Sequence, residues 1–257
     1  MEYEVGIDEA GRGPVIGPMV YACCGWPIAN KEEYSKLGFA DSKVLTEQQR
    51  DSLFGIIKNL EHVVYRTKAL SSDIISTSML SRQKISLNVI SMDSARDLIQ
   101  ELLDSKINIK NVYVDTVGNP AFYQERLQNS FPGINFHVTA KADSLFPVVS
   151  AASICAKVTR DSFIKDMAES LGEIGCGYPS DPITQNWLKS NMDPVFGFNS
   201  QHIRLSWKTC TDLMKNLPQV SWPIEAEKDE NQIQIEPTMH HCYYLQDFLK
   251  LKHGFKF

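Results

Sequence analysis

A chain of 257 residues, 43% hydrophobic and 22% charged, is large enough to bury a sizeable core and is neither a disordered tail nor a small disulfide-stapled module. A net charge of −5 with an isoelectric point near 5.7 excludes a protein that coats nucleic acid through a broadly basic surface, so any such contact has to be a local groove. From the N-terminus, Tyr3, Val5 and Ile7 alternate with polar or small residues and predict a strand. Residues 19–26, rich in β-formers, predict its hairpin partner, reached through a loop holding Pro14, Gly17 and Pro18. Thr46 opens a helix carrying Leu53, Ile56, Ile57 and Leu60 at helical spacing, and residues 63–70 form a strand. Residues 71–104 read as two helices. Strands at 111–115 and 134–139 flank a helix at 121–128, and Asp143 or Ser144 is expected to cap a long helix reaching about Leu171. After a loop holding Gly175-Cys176-Gly177-Tyr178-Pro179 come helices near 182–190 and 207–217.

This order predicts an α/β protein, a mixed sheet flanked by helices with a helical C-terminal part, in one unit over residues 1–217. Residues 218–237 turn to Pro, Glu, Gln and Asp and read as an acidic linker. Residues 238–257 hold Tyr243, Tyr244, Leu245, Phe248, Leu249 and Leu251, too apolar for a free tail, and are expected to dock on the domain or on another protein.

Six cysteines without a CxxC pair predict reduced thiols, and the spacing of His240, His241, Cys242 and His253 does not suit structural zinc. The chain is charged from its second residue, and its longest apolar run, 145–156, is broken by Ser150 and Ser153. No membrane association is expected, and the compartment is cytosolic or nuclear.

Gly6-Ile7-Asp8-Glu9-Ala10-Gly11-Arg12-Gly13 is the most informative stretch. Successive strand residues face opposite sides, so Asp8 and Glu9 meet one site only if the strand ends there, and Gly11 and Gly13 are expected to supply the positive φ of the break. Carboxylates beside an anion-friendly glycine loop imply a divalent cation between them and a phosphate. Asp115 and Asp143 also stand at strand exits, where such sheets present functional groups. Four convergent carboxylates would repel one another without metal. Lys43, Lys141, Lys157 and Arg160 flank the acids as possible phosphate contacts, and the small side chains of Ser150-Ala151-Ala152-Ser153 suit close packing of a helix on the sheet.

Asp8-Glu9-Ala10-Gly11-Arg12-Gly13, Asp41-Ser42-Lys43, Val114-Asp115-Thr116-Val117-Gly118, Lys141-Ala142-Asp143, the run from Ser150 to Asp161 and Gly177-Tyr178-Pro179 follow in the order of type 2 ribonuclease H, which the chain resembles over residues 4–210. The wording of several motifs is similar to the eukaryotic members, in which the catalytic chain works with B and C subunits. The resemblance implies an RNase H-like fold in which Asp8, Glu9, Asp115 and Asp143 hold Mg²⁺ or Mn²⁺, with Asp161 a rival for the fourth place. It implies that Gly11, Arg12 and Gly13 read a 2′-OH at an RNA-to-DNA junction through the backbone, and that Tyr178 stacks on the next sugar. The implied substrates are RNA–DNA hybrids and duplex DNA containing ribonucleotides, the implied compartment the nucleus. The rival readings are a noncatalytic hybrid binder, whose mark would be a lost acid, and a nuclease acting on DNA alone, which has no use for a 2′-OH reader.

Overall fold

The computed structural model describes residues 1–39, 44–116 and 118–218; Lys43, the linker beyond Pro218 and the expected docking segment lie outside them. Five strands, β1 (Tyr3–Ala10), β2 (Met19–Pro27), β3 (Val64–Leu70), β4 (Ile109–Asp115) and β5 (Asn135–Thr139), make one sheet in the order β3-β2-β1-β4-β5. The first three form an antiparallel meander. β4 joins the free edge of β1 in parallel, and β5 joins β4 in parallel. Parallel neighbours need crossovers, and the helices supply them. Among the described residues there are eight: α1 (Lys31–Tyr34), α2 (Glu47–Asn59), α3 (Ser72–Leu80), α4 (Leu87–Asp104), α5 (Pro120–Ser130), α6 (Pro147–Leu171), α7 (Pro182–Ser190) and α8 (Lys208–Leu213). None is long and apolar enough to cross a membrane.

The alternation of β1 decides which core each residue joins. Val5 and Ile7 face α4, packing with Val112, Val114, Ala95, Leu98 and Leu102. The opposite face, with Ala22 and Cys24 of β2, meets Ala151, Ala152 and Cys155 of α6. There the approach is so close that a Cβ on Gly6 would stand 2.3 Å from the Val148 carbonyl carbon and oxygen. The Ser150–Ser153 run makes this possible, since all four side chains are buried at the contact. A third cluster joins Val15 and Ile16, in the loop after β1, to Ile174, Leu188 and Ile203.

Local signals account for most boundaries. Thr46 and Gln49 form a reciprocal capping box on α2, and Asn119 caps α5 ahead of Pro120. The long helix differs from expectation. It begins at Pro147, whose missing N–H and fixed φ suit a first helical position, and Phe146 takes the cap position. Asp143 therefore caps nothing; it lies in a separate 3-10 turn, Ala142–Ser144. The last helix is also shorter than 207–217: α8 stops at Leu213 and a 3-10 turn, Met214–Asn216, follows.

Candidate active site

Strand β1 does not end at Asp8 as expected but runs on to Ala10, so Asp8 and Glu9 do project from opposite faces. What brings them to one place is the neighbour. The parallel ladder with β4 stops at the Ile7–Val114 pair, and one step further each strand carries a carboxylate, Asp8 on β1 and Asp115 on β4. Beyond that step β1 stays paired on its β2 edge, with Ala22 opposite Asp8 and Tyr21 opposite Glu9, and its β4 edge is free of the ladder, so both faces of the strand reach the same rim of the sheet.

Asp8 lies on the α6 side and is 4% exposed. Burial pushes its carboxyl well above the usual carboxylate range, and the nearby charges of Glu9 and Asp115 push it further, against hydrogen bonds from Ser153 and from the Glu9 amide. The amide bond, Glu9 N to Asp8 Oδ1, is 2.7 Å. Asp115 uses Oδ1 to accept the Ala142 amide at 2.7 Å, and Ser150 donates to the Asp143 carbonyl. The turn carrying Asp143 is thus tied to the end of β4 on one side and to α6 on the other. Ser150 and Ser153, expected only to pack, also hold the acids in place.

The donor set is all oxygen, which suits Mg²⁺, Mn²⁺ or Ca²⁺. Among the described residues no three His, Cys, Asp or Glu side chains already stand as a coordination shell. The residues nevertheless fit a divalent cation: Asp8 is buried within reach of the charges of Glu9 and Asp115, and carboxylates gathered in this way repel one another unless a cation stands between them. Asp161 is paired with cations instead. It is surrounded by Lys157 at 2.8 Å, Arg160 at 3.5 Å and Arg50 at 3.8 Å.

The loop after β1 is fixed by residues far along the chain. Arg204 is fully buried and donates to the carbonyls of Arg12 (2.9 Å), Gly11 (2.6 Å) and Gly17 (3.1 and 2.9 Å), while Trp207 Nε1 donates to the Gly13 carbonyl at 2.9 Å. Burial pulls the Arg204 guanidinium down to about 9, with Arg160 adding like-charge repulsion. In a trans peptide the N–H opposes the preceding C=O. The Arg12 and Gly13 amides therefore point away from Arg204. Arg12's side chain, by contrast, turns back to Ser91 (2.6 Å) and Asn88 of α4. Gly11 has the expected positive φ, +78°, but Gly13 does not; its requirement is space, because a Cβ there would sit 3.2 Å from Tyr178 Cε1.

Tyr178, 39% exposed, faces Gly13 on one side and has the Arg160 guanidinium 5.6 Å from its ring centre. Arg160, expected as a surface phosphate contact, is instead buried. It emerges from the sheet-facing side of α6 and donates to the Cys176 carbonyl at 2.8 Å, while the Gly177 carbonyl accepts the Val15 amide at 2.8 Å. Tyr178, Gly11 and Gly13 thus belong to one connected framework, held by Arg160 and Arg204. Arg204 is the member of it that sequence reasoning misses; a charged residue between Ile203 and Leu205 is its one signal.

Comparisons with known proteins give the family and the fold. The family model of ribonuclease HII matches residues 5–210. The A subunit of ribonuclease H2 from Homo sapiens is 46% identical over 261 residues, covering 94% of this chain and 87% of that one. Among solved structures, ribonuclease H2 from Pyrococcus horikoshii superposes with a TM-score of 0.72 at 31% identity, covering 83% of this chain and 97% of that one. Bst ribonuclease HIII in complex with Mn²⁺, at 18% identity and a TM-score of 0.69 over 83% of this chain and 69% of that one, shares the fold. With a family model covering four fifths of its length and a fold shared with solved ribonuclease H2, this chain belongs to the ribonuclease HII family and is a nuclease of the ribonuclease H type.

Proposed function

We propose that the chain cleaves the RNA strand of RNA–DNA hybrids and nicks duplex DNA on the 5′ side of embedded ribonucleotides, leaving 3′-OH and 5′-phosphate ends. The observation that carries this is the placement of Asp8, Glu9 and Asp115 at one rim of the sheet, next to a loop whose Gly11, Arg12 and Gly13 carbonyls are turned to Arg204 and Trp207. Asp8, Glu9, Asp115 and Asp143 are the residues that would hold Mg²⁺ or Mn²⁺. Two such ions, when bound, supply an activated water and stabilise the leaving oxygen in phosphodiester hydrolysis. The protein's own part is to position. The Arg12 and Gly13 amides donate to the ribose 2′-OH, the group that separates RNA from DNA. Tyr178 stacks on the following deoxyribose, where an added hydroxyl would clash with the ring, and Lys43 contacts a phosphate. The relationship to the A subunits of ribonuclease H2 supports work within a multi-subunit assembly; the partners we propose are B and C subunits, with residues 238–257 as the docking segment, and the compartment we propose is the nucleus.

The test is a labelled duplex bearing one ribonucleotide, incubated with the purified chain, with and without partner subunits, in Mg²⁺ and in chelator. Cleavage is expected in Mg²⁺ alone. Asp8→Asn and Asp115→Asn should each fold normally and lose activity by about a thousandfold or more, the equivalent of several kcal/mol of transition-state stabilisation. Tyr178→Ala should weaken the preference for the junction. Equal cutting of an all-DNA duplex, or retained activity in the acid variants, would sink the reading.

A further inference from the structure

Behind Glu9, on the α4 side of the sheet, lies a cavity of about 10 Å³ lined by Glu9, Arg12, Tyr21, Ser91, Asp115 and Tyr123, among others. Tyr123 comes from α5 and is 3% exposed, and its hydroxyl is buried with no hydrogen-bond partner. A buried O–H without a partner is costly, and proteins retain one where something else uses it. The neighbouring phenol, Tyr21, has Ser91 beside it. The Arg12 guanidinium is engaged by Ser91 and Asn88, whereas the Tyr123 hydroxyl is buried without a partner. The volume matches one water molecule, and the lining offers it several polar partners.

We propose that Tyr123 is a positioning residue for Glu9. Its hydroxyl binds a single water in this cavity, and that water donates to the Glu9 carboxylate, fixing its orientation from behind. The inference rests on the reading of Glu9 as a metal-holding carboxylate and adds a group that orients it. Outer partners of metal ligands are worth about 10–100-fold in metal affinity or activity. Ser153 serves Asp8 in this way, and the Ala142 amide serves Asp115.

The test is Tyr123→Phe in the full chain, which removes one oxygen and keeps the ring in its core. Calorimetry with Mn²⁺ or Mg²⁺ alone should show affinity weakened about tenfold. The ion concentration for half-maximal cleavage should rise by the same factor, with KM for the duplex unchanged at saturating ion. A high-resolution crystal structure of the wild type should show one water between Tyr123 Oη and Glu9. If Tyr123→Phe binds the ion as the wild type does and melts at the same or a higher temperature, the hydroxyl was merely an unpaired group and this inference falls alone. An empty cavity has the same meaning. A wild-type chain that binds no ion removes the reading of the site and this inference together.

Discussion

Asp8 and Gly11 are three residues apart, yet they are held by opposite means. Asp8 sits in a strand paired on its β2 side, with α6 pressed against its face through Gly6 and the Ser150–Ser153 run. Gly11 to Gly13 have no ladder. Their carbonyls are held by Arg204 and Trp207, 193 residues further on in the Gly11 case, and Gly13 is backed by Tyr178. The acids are therefore placed by the sheet, whose rigidity comes from many small contacts, whereas the glycine loop depends on a few strong bonds from one buried cation and Trp207. Damage to one should spare the other.

Arg204→Met is the largest expected effect on stability. It leaves the carbonyls of Gly11 and Arg12 without their donor, at about 1–3 kcal/mol each, and that of Gly17 with Ser72 alone, so a loss of about 4 kcal/mol and roughly 10 °C in Tm is expected. Arg204→Lys should recover little, since one ammonium cannot span three carbonyls as the guanidinium fork does. The variant should still bind Mn²⁺ at the acids while losing junction preference. Thermal melts, calorimetry and cleavage of hybrid against all-DNA duplex separate these; loss of ion binding in a folded variant would show that loop and acids are one unit.

Gly6→Ala probes the other half. The added methyl meets backbone rather than a movable side-chain end, so α6 has to shift, at a cost of about 1–3 kcal/mol. Ser153 moves with the helix, away from Asp8. Ion affinity should fall while the Tyr178 loop keeps its amide-exchange protection; unchanged affinity would mean that the acids do not depend on the packing of α6.

The same division separates what is legible in the sequence from what is not. The periodicity of Tyr3-Val5-Ile7, the capping signals at Thr46 and Asn119 and the apolar faces of α4 and α6 are local, and the sheet follows from them. Asp115 is legible as a strand end because β4 stops there. The cap expected at Asp143 fails because Asp and Pro147 both signal a helix start, and Pro147 prevails. Gly13 suggests a positive φ when its neighbour's ring is the reason for it, and Arg160 suggests a surface cation when it lies beneath Tyr178. Arg204, Ser153 and Tyr123 act across long separations, which no local pattern records.

The smallest effect concerns the loop that presents Tyr178. Asp181 accepts the Cys176 amide at 2.7 Å through Oδ2 and the Ile183 amide at 3.0 Å through Oδ1, and these bonds hold its carboxyl down to about 2. A folded value below the unfolded one means that the unfolded chain takes up the proton first as pH falls. The contribution is complete above about 4, near the unfolded carboxylate value, and disappears as pH drops through about 2. Amide exchange at Cys176 and Gly177, corrected for intrinsic rate, should show protection falling across that window in the wild type and a flatter profile in Asp181→Asn. The carboxylate is exposed to solvent, so the change should be modest and confined to this loop. A parallel fall at the Asp8 amide neighbour, Glu9, would mean that acid acts on the whole fold and that the two regions are not held separately.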